Sequence, residues 1–273
     1  MNTKPTTFSS LIDLVQHGPD TWVGLSADYR WGRIYGGQVV AQALHAAMKT
    51  VGEDYVPHSL HAYFIRGGVI DEPVRYEVDR LRDGRSFCTR ATVARQSGGA
   101  ILHLSASFQR LEDEADVQTA RMPLAPNPED IAARDDNWPW IMDRRQVDSY
   151  PGSGQSMGWA RVVDPMPDDP DLHIVGLALT SDTFQFSSAR SIHPLQVPRE
   201  RHNDFFMGAS LDHAMWFHRP ARADDWHLYH WDCHGLERGR GMTVGNLFAS
   251  DGTHIASIAQ EILLRERKPR PEL

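Results

Sequence analysis

Residues 36–50 (GGQVVAQALHAAMKT) place Val39, Val40, Ala43, Leu44, Ala47 and Met48 three and four apart, the repeat of one helical face. The Gly36-Gly37 pair ahead of this stripe marks a tight turn whose backbone amides point freely from the helix N-terminus. After Pro57 the period shortens. SLHAYFI, VRYEVDRL, FCTRATVAR and AILHLSASFQ are short runs rich in β-branched and aromatic residues, parted by turn signals at Arg66-Gly67-Gly68, Asp83-Gly84 and Ser97-Gly98-Gly99. The pattern predicts one helix followed by an antiparallel meander.

Between about Leu111 and Gly158 lie Pro123, Pro126, Pro128, Pro139 and Pro151, several acidic residues and no sustained periodicity, the texture of a linker that wraps a surface. The first pattern then returns: a helical stretch from about Asp171 to Ser187, followed by FFMGASLDHAMWFHR, WHLYHWDCH, MTVGNLFAS with an Asp251-Gly252 turn, and HIASIAQEILLR. HAYFIR at 61–66 aligns with HAMWFHR at 213–219 with one residue inserted, and Arg85-Ser86-Phe87 falls against Arg240-Gly241-Met242. Shared strand composition produces some of this likeness. The common order of helix, meander and turns favours duplication, with an N-terminal domain over 1–110, a linker over 111–157 and a C-terminal domain over 158–273. A helix wrapped by a curved antiparallel sheet, twice over, is α+β architecture.

The chain of 273 residues is long enough for two small domains, each with its own core. A net charge of −8 without a dense basic run offers a phosphate backbone no footprint, so nucleic acid is excluded as an expected partner. Cys88 and Cys233 are too few for a disulfide framework and lack zinc-site spacing, which fits a reducing compartment. The segment from Met1 to Ser10 has no signal-peptide or transit character, no run reaches membrane-spanning length, and Pro271-Glu272-Leu273 is no targeting signal. The expected location is the cytoplasm, with no membrane partner.

Five segments carry a resemblance: IYGGQVVAQAL (34–44), PHSLHAYFIRGG (57–68), LRDGRSFCTR (81–90), SLDHAMWFHRP (210–220) and IASIAQE (255–261). They are similar to the type II acyl-CoA thioesterases, the bacterial TesB-like family with a peroxisomal branch, and the match covers nearly the whole chain. The resemblance implies a double hotdog fold and hydrolysis of acyl-CoA to free fatty acid and CoA without metal or organic cofactor, and the expected substrates are medium or long fatty acyl chains. It implies a catalytic set of Asp182 in TSDTF, Ser210 in ASLDH and Gln260 in IAQE. Ser210 stands where many relatives carry Thr, which keeps the hydroxyl and gives up some rotamer stiffness. The part after Asp182, TFQFSSARSIHPLQVPRERHNDF, departs from the better-known relatives and is expected to shape the acyl pocket.

Thioester hydrolysis needs a water near the carbonyl carbon, a group to take its proton, and donors for the developing oxyanion. A thiolate leaves readily, its pKa being about 8.5 in model peptides. Asp182 is the one titratable member of the set, and partial burial raises a carboxylate towards a useful base. Ser210 and Gln260 both accept and donate, so they orient water without becoming charged. Gly36 and Gly37, or the start of the second helix, are expected to meet the oxyanion, and His58, which falls opposite Ser210 in the repeat alignment, is a relic of an ancestral site or a neighbour of CoA.

Taken singly, Asp182 reads as a helix-end cap, Ser210 as a strand hydroxyl, Gln260 as an exposed strand position and Gly36-Gly37 as a plain turn. His230, Asp232 and His234 would share one strand face, a weak zinc signal against which no metal site is expected. Two other functions stay open at this point: a hotdog hydratase acting on enoyl or hydroxyacyl thioesters, and a non-catalytic acyl-CoA binding protein. Exposed sheet edges and faces predict a homodimer or higher homo-oligomer.

Overall fold

In the computed structural model, which describes residues 3–133, 141–147 and 150–267, the N-terminal half runs α1 (Phe8–Ile12), β1 (Val15–Gln16), β2 (Thr21–Gly24), α2 (Gly36–Met48), β3 (Tyr55–Phe64), β4 (Val74–Asp83), β5 (Phe87–Gln96) and β6 (Gly99–Arg110). The C-terminal half runs β7 (Met142–Val147), β8 (Gln155–Val162), α3 (Pro170–Ser181), α4 (Gln185–Ser191), α5 (His202–Phe205), β9 (Phe206–Ser210), β10 (Asp212–Phe217), β11 (His227–Glu237), β12 (Arg240–Ala249) and β13 (His254–Glu266). Met1, Pro139 and Pro271-Glu272-Leu273 lie outside the described residues.

The strands form one antiparallel sheet in the order β1-β2-β4-β5-β6-β3-β10-β13-β12-β11-β8-β7, with β9 also on β13. Read from its centre outward, each half repeats the same sequence of strands. The halves join where His61 pairs with Ala214 and Ala62 with His213, so the two His-Ala pairs cross each other about a pseudo-two-fold axis. Each half wraps one long helix, α2 or α3. This is the α+β architecture expected from the repeat and the double hotdog that the resemblance implies.

Val39, Val40, Ala43, Leu44, Ala47 and Met48 are all buried, as their spacing predicts, but the opposite face of α2 is buried too. Gln42 is enclosed and fully bonded there, taking the Tyr76 hydroxyl at 2.6 Å and donating to the carbonyls of Leu11 and Leu25 at 2.5 and 3.0 Å. A helix enclosed on all sides keeps polar side chains only where each polar atom finds a partner.

Part of the expected linker is sheet. Met142, Arg144 and Gln146 of β7 face inward while Asp143, Arg145 and Val147 face outward, so polar residues occupy much of the inner face and the alternation is invisible to a hydrophobicity reading. Residues 111–127 do wrap a surface: the Gln118 side chain donates to the Gly252 carbonyl at 2.9 Å and accepts the His254 N–H at 2.8 Å, and Trp159 Nε1 donates to the Pro126 carbonyl at 2.9 Å.

Candidate active site

The helix expected from Asp171 to Ser187 is broken in the structure. α3 stops at Ser181, Asp182 caps it, and the chain turns through Thr183 and Phe184 before α4 begins at Gln185. Phe184 adopts φ 69, a left-handed conformation that costs a non-glycine residue roughly 1–2 kcal/mol. Burying its ring against Gly158 and beneath the Arg144 guanidinium, 4.9 Å from the ring centroid, offsets that cost by about 1.5–3 kcal/mol. The reversal carries Asp182 to the joint between the two central helices and folds Gln185 back onto it.

Two strands bring the remaining groups. Ser210 ends β9, opposite Ile262 of β13, and Leu211 then crosses to β10, sending its carbonyl to the Phe64 N–H at 2.9 Å. Gln260 lies on the inward face of β13, 0% exposed. Asp182 Oδ1 accepts three hydrogen bonds, from Gln185 Nε2 at 2.6 Å, Gln260 Nε2 at 2.8 Å and Ser210 Oγ at 3.1 Å. Gln260 Nε2 also donates to Ser210 Oγ at 2.6 Å. The sequence-predicted set of Asp182, Ser210 and Gln260 is therefore one bonded cluster.

A fifth residue fixes the cluster. His213 Nδ1 lies 2.8 Å from Gln260 Oε1, and its Nε2 lies 2.8 Å from Ser181 Oγ. With the Gln260 amide nitrogen committed to Asp182 and Ser210, Oε1 must accept, so His213 carries its proton on Nδ1. Its Nε2 then accepts from Ser181, whose hydroxyl is shared with the Ala178 carbonyl at 2.8 Å. Burial lowers the His213 pKa, which keeps the ring neutral and this tautomer in place. Burial likewise raises the Asp182 pKa above the usual carboxylate value, opposed in order by His213, the Gln260 bond, the Ser210 bond and the Gly37 N–H.

The other carboxylate oxygen, Oδ2, faces the start of α2. A Cβ placed on Gly36 would come within 2.5 Å of it, and one on Gly37 would strike the Leu179 carbonyl and the Tyr35 ring. Neither glycine has positive φ, so the tight turn read from the pair is instead the first two helical residues of α2. What these positions require is the absence of a side chain, because the α2 N-terminus abuts the end of α3. That N-terminus has no side-chain cap, and its dipole favours negative charge.

His58 is not brought to this cluster. It sits in the β-bulge between Pro57 and Ser59, 2.8 Å from Ser107 Oγ, while Tyr63, farther along β3, is the residue paired with Asp212. His230 and Asp232 do share a face, with Nδ1 and Oδ2 4.0 Å apart, but the bulge between Cys233 and Gly235 takes His234 out of the alternation, and Asp232 accepts from Gln155 Nε2 at 2.8 Å. Among the described residues no group of three or more His, Cys, Asp or Glu is placed to hold a metal.

Sequence reasoning missed Gln185 and His213. Gln185 follows Asp182 by three residues, a helical interval that pointed to contact, but the break between them disguises its direction. His213 stands beside the motif carrying Ser210, where its neighbours suggested only a histidine cluster.

The acyl-CoA thioesterase N-terminal domain model matches residues 25–109, and the C-terminal domain model of the same family matches residues 110–264. Acyl-coenzyme A thioesterase 8 of Homo sapiens is 35% identical over 263 residues, covering 85% of this chain and 81% of the relative. Acyl-CoA thioesterase 2 of Haemophilus influenzae is 32% identical, covering 89% and 91% of the two chains. The crystal structure of the acyl-CoA thioesterase II TesB2 from Mycobacterium marinum superposes with a TM-score of 0.82 at 36% identity, covering 97% of this chain and 99% of that one.

Proposed function

The chain belongs to the acyl-CoA thioesterase family and is a thioester hydrolase, and from that premise we propose that the cluster around Asp182 is its catalytic centre. This family membership sets aside the hydratase and non-catalytic readings. One observation carries the site assignment: Oδ1 of Asp182 is saturated by three side-chain donors, which leaves Oδ2, turned to the start of α2 and touched there by a backbone N–H alone, as the oxygen with room to take a proton.

In this reading a water lies between Asp182 Oδ2 and the half-exposed Ser210 hydroxyl. Its oxygen attacks the thioester carbonyl carbon as its proton passes to Oδ2, giving a tetrahedral intermediate. Charge on the former carbonyl oxygen faces the N-terminus of α2, where the Gly36 N–H and the helix dipole meet it while the Gly37 N–H is turned to the Asp182 carboxylate. Collapse breaks the C–S bond, releasing the fatty acid and the CoA thiolate, which takes up a proton. Gln260 and Gln185 hold the carboxylate, and His213 holds Gln260. His58 has no part in this chemistry; as a CoA neighbour it remains a separate proposal.

A fatty acyl chain is the proposed substrate group, supported by the exposed apolar side chain of Met207 on β9, the strand that ends in Ser210. A homodimer is the proposed assembly, since His61, Tyr63 and Trp216 form an exposed, partly aromatic patch on the outer face of the two central strands. The free thiols of Cys88 and Cys233 accord with action in the cytoplasm. No helix among the described residues is long and apolar enough to cross a membrane. The test is release of free CoA from palmitoyl-CoA, read with a thiol reagent, by the wild type and by Asp182→Asn. Unchanged turnover in a folded variant removes Asp182 as the base.

A further inference from the structure

The segment after Asp182 walls a cavity of about 190 Å³, lined by Ser187, Arg190 and Ser191 of α4, Gln146 of β7, and Gln196 and Arg199 of the following loop, among others. The cavity is polar and positively charged. Arg199 reaches Gln146 Oε1 at 2.8 Å, which fixes one wall. The opposite rim is pinned where Gly152 N–H donates to the Ser191 carbonyl at 2.6 Å and Gly154 N–H to Ser191 Oγ at 3.0 Å.

Arg190 has no such role. Its Nε is buried without a hydrogen-bond partner, it forms no ion pair among the described residues, and its aromatic contact is with Phe186, 5.5 Å from the ring centroid. Burial and the neighbouring Arg199 pull its pKa down to about 10, so it stays charged at neutral pH. The Ser187 hydroxyl beside it is also without a bonded partner among the described residues. A largely enclosed guanidinium with no carboxylate partner among the described residues leaves its Nε–H unsatisfied, and a tetrahedral oxyanion accepting its N–H groups removes that cost.

We propose that this cavity is a phosphate-binding pocket in which Arg190 and Ser187 hold a phosphoryl group. The location rests on the walls of the cavity alone. The functional meaning rests on the proposed active site, because α4 also carries Gln185, which holds Asp182. The phosphoryl group comes either from the phosphates of the CoA substrate or from a free phosphate-bearing solute, and the same chemistry recognises both.

The test uses inorganic phosphate as the probe and calorimetry as the readout, so that it does not depend on hydrolysis. The wild type is expected to bind phosphate saturably at one site per chain, Arg190→Met to weaken it at least tenfold, and Ser187→Ala to weaken it a few-fold. Arg190→Lys, which keeps the charge and loses the fork, is expected to fall between. Circular dichroism checks each fold, and the wild-type and Ser187→Ala titrations stand if Arg190→Met does not fold. Hydrolysis then identifies the source. If CoA supplies the group, Arg190→Met raises KM for acyl-CoA at least tenfold and leaves KM for the matching acyl-pantetheine, which has no phosphate, unchanged. If a free solute supplies it, neither KM moves while phosphate binding is still lost. Absence of saturable phosphate binding to the wild type, or equal binding by folded Arg190→Met, overturns the proposal.

Discussion

At the scale of single residues, the candidate site is a carboxylate with one oxygen held by three side chains and the other turned to the start of α2. Asp182→Asn keeps the shape and removes the ability to accept a proton at neutral pH, so kcat is expected to fall at least about a hundredfold while KM changes little. The pH dependence follows from the raised pKa of Asp182. Below its unfolded pKa the carboxyl is protonated in both states, and its contribution to stability is fully present. As pH rises through the higher folded pKa that contribution is lost, because the native state must then hold a buried charge. Between the two values wild type therefore loses stability with rising pH more steeply than Asp182→Asn, which urea unfolding at a series of pH values will show, and kcat/KM of the wild type rises over the same span. Parallel stability curves would mean that burial does not perturb this carboxylate. His213 acts one bond further out. His213→Ala frees the Gln260 amide to rotate and is expected to lower kcat about tenfold to a hundredfold, with KM nearly unchanged, in steady-state hydrolysis.

At the scale of elements, the two central helices explain why the site forms at one end of their contact and not at the other. The α2 N-terminus has no side-chain cap, whereas α3 is capped by its own Asp169, which accepts from the Asp171 N–H at 3.0 Å, and opens with Pro170, which has no N–H to offer. Asp182 can approach α2 because Gly36 and Gly37 carry no side chain. Gly37→Ala would drive a methyl group into the Leu179 carbonyl, and a loss of about 1–3 kcal/mol in denaturant unfolding is expected from such overpacking. Gly36→Ala meets Asp182 Oδ2 and Phe64 instead, so its larger effect belongs in kcat; a variant with full activity would show that Oδ2 is not the working oxygen.

At the scale of the whole molecule, the pseudo-two-fold axis relates two halves of which one carries the cluster. Residues equivalent to Ser210 and Gln260 in the first half are His58 and Ser105, as the pairing of Ala62 with Leu104 and of Ala214 with Ala259 fixes, and the cap of α2 is Lys49 where that of α3 is Asp182. No carboxylate stands at the corresponding place. A non-hydrolysable acyl-CoA analogue is therefore expected to titrate one catalytic site per chain, and two equivalent sites would contradict this. Light scattering is expected to give at least twice the chain mass of 30.8 kDa.

The sequence by itself determined the helix from Val39 to Met48, the meander and the duplication, because their hydrophobic period and turn residues are local properties of the chain. Its motifs also singled out Asp182, Ser210 and Gln260, and the fold joins them. Tertiary structure decided what lies between elements. β7 was hidden because Arg144 and Gln146 face inward, and the end of α3 was hidden because the left-handed Phe184 is held by Gly158 and Arg144, residues distant in the chain. Which Asp182 oxygen stays open, which way the Gln260 amide points, and why Gly36 and Gly37 carry no side chain all depend on groups from both halves meeting at one joint. Such choices arise from contacts of high sequence separation, and no local period records them.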